Sequence, residues 1–178
     1  MTERIIIAGF GGQGVLSLGQ FIAYSANSKG LYVTWLPSYG PEMRGGTANC
    51  SVVVSHKPVA SPVIPSPDTL IAMNKPSLDK FVGKVTKGGL IIVNSSLITD
   101  NVSREDVRVC YLNANDIAIL SGSVKCANIA VLGAYIKLTG IIGKEDAQRA
   151  IEEIFKEKPK VIPMNIDAFN KGYETAVI

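Results

Sequence analysis

A three-layer α/β/α sandwich is the fold this sequence predicts, with a mixed, mostly parallel sheet and a Rossmann-like first βαβ unit. Three observations predict it. Short β-branched runs alternate with amphipathic stretches along all 178 residues, the pattern of strands interleaved with helices. A glycine cluster, Gly9-Phe10-Gly11-Gly12-Gln13-Gly14, stands between the first such run and the first amphipathic stretch. The span from Thr47 to Met73 holds two strand candidates and no helix, so the sheet is not wholly parallel. A chain of this length makes a single domain, residues 1–178.

The elements follow in order. Arg4-Ile5-Ile6-Ile7-Ala8 is a short apolar, β-branched run ending at Gly9, a buried strand. Gln13 to Lys29 is a helix: Val15, Leu18, Ile22 and Ser25-Ala26 recur at helical spacing and Gly30 stops it. The second strand, Leu31 to Leu36, should run parallel to the first through a right-handed crossover. A loop rich in Gly and Pro spans Pro37 to Gly46. Ala48, Cys50, Val52 and Val54 alternate with Asn49, Ser51, Val53 and Ser55, which makes a third strand. Pro58, Pro62, Pro65 and Pro67 bar a helix or a central strand from Lys57 to Asp68. Thr69 to Met73, Gly89 to Val93 and Val107 to Tyr111 are further strands. Pro76 to Val82 is a short helix with Pro in its first turn, and Asn113 to Leu120 is another. Ala127 to Thr139 is a helix with Ile129, Leu132 and Ile136 on one stripe. Gly143 to Lys156 turns Ala147, Ile151, Ile154 and Phe155 inward, and Asn165 begins the last helix.

Composition narrows the function. With 47% hydrophobic and 19% charged residues the chain can build a core, which excludes a disordered segment. Eighteen basic against 15 acidic residues, without a basic run, gives no nucleic-acid signature. Lys137 and several glycines break the longest apolar stretch, so no membrane span is expected. Met-Thr-Glu-Arg runs straight into a strand, without a signal peptide, and a cytoplasmic location is expected. Cys50, Cys110 and Cys126 stand apart, without metal-ligand spacing, and are expected as buried reduced thiols. His56 follows a strand and is expected in a loop rather than as a base. No catalytic residue and no metal ligand set is assigned.

Two loops carry the chemistry. Gly9, Gly11, Gly12, Gln13 and Gly14 fit G-x-G-x-x-G between a strand and a helix. Glycines allow close approach of a ligand, and a helix N-terminus attracts anions. The nicotinamide reading also needs an acidic residue after the second strand, but Trp35-Leu36-Pro37-Ser38 stands there. An anionic ligand, a neighbouring subunit, or mere helix–sheet packing all remain open for this loop. Ser38, Tyr39, Gly40, Pro41, Glu42, Met43, Arg44, Gly45 and Gly46 form the second loop. It follows a strand end, so the two loops are expected to share one rim. Arg44 suits a carboxylate or phosphate fork; a Glu42–Arg44 pair that stiffens the loop is the alternative.

Together, Gly9 to Gly14 and the run Tyr39-Gly40-Pro41-Glu42-Met43-Arg44-Gly45-Gly46-Thr47-Ala48-Asn49-Cys50 closely resemble the gamma subunit of 2-oxoacid:ferredoxin oxidoreductases. They are also similar to the matching domain of single-chain pyruvate:ferredoxin oxidoreductases. The resemblance continues through Asn94-Ser95-Ser96, Asn113-Ala114, Asn128 with Leu132-Gly133-Ala134, and the Asn165 helix. It implies CoA-dependent oxidative decarboxylation of a 2-oxoacid to an acyl-CoA, with electrons passed to ferredoxin. It implies that thiamine diphosphate, Mg2+ and iron–sulfur clusters sit on partner alpha and beta subunits, and on a delta subunit in complexes that have one. It also implies that assembled units pair as a dimer and that the isolated chain is inactive. The second motif resembles the 2-oxoglutarate type first and the 2-oxoisovalerate type second. On this footing both loops help bind CoA, another anion, or a partner subunit. A purely scaffolding subunit and a free-standing nucleotide-binding protein remain the other readings.

Overall fold

The computed structural model describes residues 1–39 and 46–178. The strands are β1 (Thr2–Phe10), β2 (Tyr32–Tyr39), β3 (Thr47–Ser55), β4 (Thr69–Ala72), β5 (Leu90–Asn94) and β6 (Arg108–Leu112). The helices are α1 (Val15–Ser28), α2 (Lys75–Phe81), α3 (Ala114–Leu120), α4 (Ala127–Thr139), α5 (Lys144–Ile154) and α6 (Ile162–Thr175). The six strands form one sheet in the order β2-β3-β1-β4-β5-β6. From β1 to β6 neighbours are parallel, whereas β3 is antiparallel to both β1 and β2.

The sheet is therefore mixed, as the helix-free span from Thr47 to Met73 requires. The opening βαβ unit differs from the simple Rossmann form. β1 and β2 point the same way, but β3 lies between them and pairs Ile5 with Val52 and Ile7 with Cys50. The physical reason is local. Only residues 40–46 separate β2 from β3, too few to carry the chain across the sheet, so β3 returns antiparallel beside β2.

Side-chain alternation along β1 sorts two cores. Ile5 and Ile7 join Leu18, Ile22, Leu132, Tyr135 and Phe169 on the face covered by α1 and α3 to α6. Ile6 and Ala8 join Leu78, Phe81, Ile64 and Ile98 on the other face. That second layer is thin: it holds α2, a 3-10 turn at Val82–Lys84, and the irregular proline-rich segment. The prolines from 58 to 67 explain why no longer helix forms there.

Several boundaries move. β2 runs on through Pro37 to Tyr39, into the expected loop; as an edge strand it tolerates a residue without an N–H. α6 starts at Ile162, with Pro163 in its first turn, ahead of the expected Asn165. α4 is not a single stripe: every residue from Ala127 to Ile136 is buried. It lies between the sheet and α6, so both of its sides are covered. Gly133 and Gly172 make this possible, since a Cβ on either would run into the carbonyl oxygen of Phe169 or Ala130 respectively. On α5, Ala147, Ala150 and Ile151 are buried, but the expected core residue Ile154 is 38% exposed.

The chain leaves β1 into α1 on one face and leaves β4 into α2 on the other. β1 and β4 are neighbours, so their carboxyl ends flank the topological switch point of the sheet. The glycine loop sits there.

Candidate functional site

The glycine loop is built by backbone geometry and one amide side chain. Gly14 has φ of 72°, in the left-handed region, and forms the N-cap of α1. A Cβ at Gly14 would also lie 2.5 Å from Nδ2 of Asn128. The Gly14 carbonyl accepts the Leu18 N–H at 2.8 Å and Asn128 Nδ2 at 3.3 Å, which ties the start of α1 to the start of α4. No side chain caps α1 and its first turn has no acidic residue. Its first N–H groups are thus left for another acceptor, in the positive end of the helix dipole.

Gln13 fills the switch-point crevice. Its Oε1 accepts the Phe10 N–H at 2.6 Å and Asn74 Nδ2 at 3.1 Å, and its Nε2 donates to the Met73 carbonyl at 3.1 Å. A dinucleotide laid across this crevice would have to displace all three bonds, a second obstacle to the nicotinamide reading.

The two loops do meet. The Gly11 N–H donates to the Gly46 carbonyl at 2.9 Å, so the Gly11 amide is already used by the protein. Ser38 and Tyr39 end β2 opposite Asn49 and Ala48. Gly40, Pro41, Glu42, Arg44 and Gly45 lie outside the described residues, and so does the expected Glu42–Arg44 pair.

A groove of about 660 Å³ opens beside the glycine loop. Its walls are the start of α1, the 3-10 turn Val124–Cys126 leading into α4, and the passage from α5 to α6. Of the residues expected at the site, Gly12, Gln13 and Gly14 line it, whereas Gly9 and Gly11 do not. Lys125 and Lys158 line it too, and neither has an ion-pair partner among the described residues. Asn128 and Asn165, 6% and 5% exposed, add buried amides, and Phe21, Phe155, Val161 and Met164 add apolar wall. No Asp or Glu among the described residues lines the groove. Two cations, a helix N-terminus and an apolar wall suit an anionic ligand with an apolar part.

Ser17, Lys125 and Lys158 carry no motif around them and were not assigned from sequence. Asn128 and the Asn165 helix entered only through the family resemblance. What brings these five together is the packing of α4 and α5 against α1 and of α6 against α4, which no local pattern encodes.

The thiols are not nucleophiles here. Burial pushes Cys50 up to about 12, even with the Trp35 side chain beside it, and burial also raises Cys110 and Cys126. All three are free and buried. They stand on β3, on β6 and before α4, and no group of three or more His, Cys, Asp or Glu among the described residues could hold a metal ion. An iron–sulfur cluster does not fit this set of residues. His56 is exposed just past β3, beside the Met1 carbonyl, at the opposite end of the sheet from the groove. No helix among the described residues is long and apolar enough to cross a membrane.

A family model described as pyruvate ferredoxin/flavodoxin oxidoreductase matches residues 4–175. The chain is 42% identical over 175 residues to the ketoisovalerate oxidoreductase subunit VorA of Methanothermobacter marburgensis. That match covers 97% of this chain but 36% of the relative, so the chain spans about a third of that relative's length. It is 34% identical over 183 residues to the 2-oxoglutarate synthase subunit KorC of Methanocaldococcus jannaschii, covering 99% of this chain and 95% of that one. The solved gamma subunit of a keto/oxoacid ferredoxin oxidoreductase from Geobacter sulfurreducens superposes with a TM-score of 0.81 at 30% identity. It covers 97% of this chain and 96% of its own.

Proposed function

The chain belongs to the pyruvate ferredoxin/flavodoxin oxidoreductase family, and from that premise we propose that it is the gamma subunit of a multi-subunit 2-oxoacid:ferredoxin oxidoreductase that holds coenzyme A for the complex. The observation that carries this reading is the groove at the α1 N-terminus, where the described residues place Lys125 and Lys158 on the walls and no carboxylate. Coenzyme A is a polyphosphate with an apolar arm, and both halves have counterparts there. Lys125, Lys158 and the first amides of α1 bind phosphate oxygens. Phe155, Val161 and Met164 shield the arm from water. The chain thereby orients a thiol toward a site completed by partner subunits.

Thiamine diphosphate, Mg2+ and the clusters belong to alpha, beta or delta partners in this reading, and ferredoxin takes the electrons there. The separate cysteines and the absence of a Gly-Asp-Gly segment in the sequence support that division. Gly9, Gly11 and Gly12 shape the turn, the Gly46 end of the second loop meets it, and Arg44 in that loop is assigned to the same anionic ligand. Reduced thiols support a cytoplasmic place for the complex. A dimer of assembled units is part of the same proposal.

The substrate is a 2-oxoacid. The Tyr39 to Cys50 motif and the end-to-end match with a 2-oxoglutarate synthase subunit favour 2-oxoglutarate. The 42% identity to a ketoisovalerate oxidoreductase subunit favours 2-oxoisovalerate as the second reading. Ferredoxin reduction by the complex purified with its native partners, supplied with each acid in turn, separates them. The proposal expects CoA-dependent turnover with one of the two. Turnover independent of CoA would remove the coenzyme role. Arg44→Ala then separates binding from scaffolding: normal assembly with a raised KM for CoA supports binding, and failed assembly supports a scaffold.

A further inference from the structure

Gln13 lines the groove, yet its polar atoms face away from an incoming ligand's needs and toward the protein. Oε1 meets two donors, the Phe10 N–H and Asn74 Nδ2, while Nε2 meets one acceptor, the Met73 carbonyl. Only this orientation of the amide satisfies all three neighbours. Asn74 is itself buried and anchored: its Oδ1 accepts the Ser77 N–H at 3.0 Å, which caps α2. Asn74 does not line the groove. A continuous path of hydrogen bonds thus runs from the cap of α2, on one face of the sheet, through Asn74 and Gln13 to the glycine turn. That turn starts α1 on the other face.

We propose that Gln13 and Asn74 are a positioning pair: they touch no ligand, and hold the glycine turn so that the first amides of α1 face the groove. This rests on the CoA reading of that groove. A glycine turn has little stiffness of its own, since glycine explores more backbone conformations than any other residue. The amide of Gln13 supplies the stiffness. It bonds Phe10 at the start of the turn, and the backbone of Gln13 itself returns an N–H to the Phe10 carbonyl at 3.1 Å. The pair also locks the turn to the end of β4 through Met73.

The test uses the complex with its native partners and reads KM and Kd for CoA. Asn74→Asp keeps the cap on α2, because a carboxylate accepts the Ser77 N–H as well as an amide does. It removes the donor to Gln13 and sets an oxygen against its Oε1. Gln13→Glu likewise keeps the shape but sets an oxygen against the Met73 carbonyl. Loss of one net hydrogen bond corresponds to about a fivefold effect. We expect each of these variants, and Gln13→Ala, to raise KM for CoA by about fivefold to tenfold, with KM for the 2-oxoacid unchanged. Gln13→Ala combined with Asn74→Asp should be no worse than Gln13→Ala alone, because one pathway is being cut twice. Amide exchange at Phe10, Gln13 and Leu18, whose N–H groups are bonded within the turn, should quicken in Asn74→Asp.

Three results would overturn the proposal. One is a raised KM in Gln13→Ala with a wild-type value in Asn74→Asp, which makes Gln13 a direct ligand contact. Another is a double variant whose effect is the product of the two singles. The third is unchanged amide exchange in Asn74→Asp, which is readable even where a Gln13 variant fails to assemble. If the unmodified complex binds no CoA, the reading of the groove itself fails, a result distinct from these three, and the positioning role falls with it.

Discussion

Gly14 is where the backbone, the helix start and the neighbouring helix all constrain one residue. Its φ of 72° disfavours any side chain, and its carbonyl must accept from both Leu18 and Asn128. An alanine there adds a left-handed penalty of about 1–2 kcal/mol and crowds Asn128. Gly14→Ala should therefore lose about 2 kcal/mol or more of unfolding free energy, measured by urea denaturation. Cys50 makes a prediction in pH. Its folded thiol sits at about 12 against an ordinary 9.0, because burial disfavours the thiolate. Between those values the unfolded chain has released the proton and the folded chain still holds it. Folding stability therefore falls as pH rises from about 9 toward 12, and is intact below about 9. Cys50→Ala should flatten part of that alkaline loss in urea midpoints, with Cys110, Cys126 and the buried Tyr135 hydroxyl, all raised by burial, among the groups that contribute to the rest. The residue scale was partly legible in sequence. The glycines at 9 to 14 announced a tight turn by composition alone. Gln13 read as a ligand-binding residue at the start of a helix, because nothing local shows that Met73 and Asn74 lie within bonding distance, 60 residues on.

At the level of elements, local periodicity did well where one face is buried. α1 buries Val15, Leu18, Ile22 and Ala26 as its spacing requires. It did less well where burial is set by neighbours. α4 is apolar on every side, so no stripe can be read from it, and its burial depends on α6 lying close. Ile154 has the spacing of a core residue but faces the groove, because the wall that would cover it is missing there. β2 outran its expected end because an edge position accepts Pro37. The α4–α6 crossing gives the element-scale prediction. Gly133→Ala or Gly172→Ala must push the two helices apart, since the added Cβ meets a backbone carbonyl rather than a flexible side chain. Overpacking of this kind costs about 3 kcal/mol. Thermal unfolding should drop by several degrees in either variant. Because α4 and α6 both wall the groove, CoA affinity should fall with it.

Across the whole molecule, the sheet places chemistry at one end. The carboxyl ends of β1 and β4 carry the glycine turn, and helices on one face bring Lys125 and Lys158 to it from 112 and 145 positions beyond Gln13. The fold class and the mixed sheet were readable from element order. The groove was not, because its cations come from segments with no motif and its shape from long-range packing. A net charge of +3, spread over the chain, gave no hint that two lysines gather at the groove. On the proposed CoA role, the two exposed lysines of the groove also predict salt dependence: the KM for CoA should rise with ionic strength in the unmodified complex and less so when they are removed. The most direct measurement is the KM for CoA of the native-partner complex carrying Lys125→Ala and Lys158→Ala together. A rise of about tenfold or more, with the KM for the 2-oxoacid and the assembly of the complex unchanged, is the predicted result. A KM for CoA equal to that of the unmodified complex would contradict the assignment of the groove to the coenzyme.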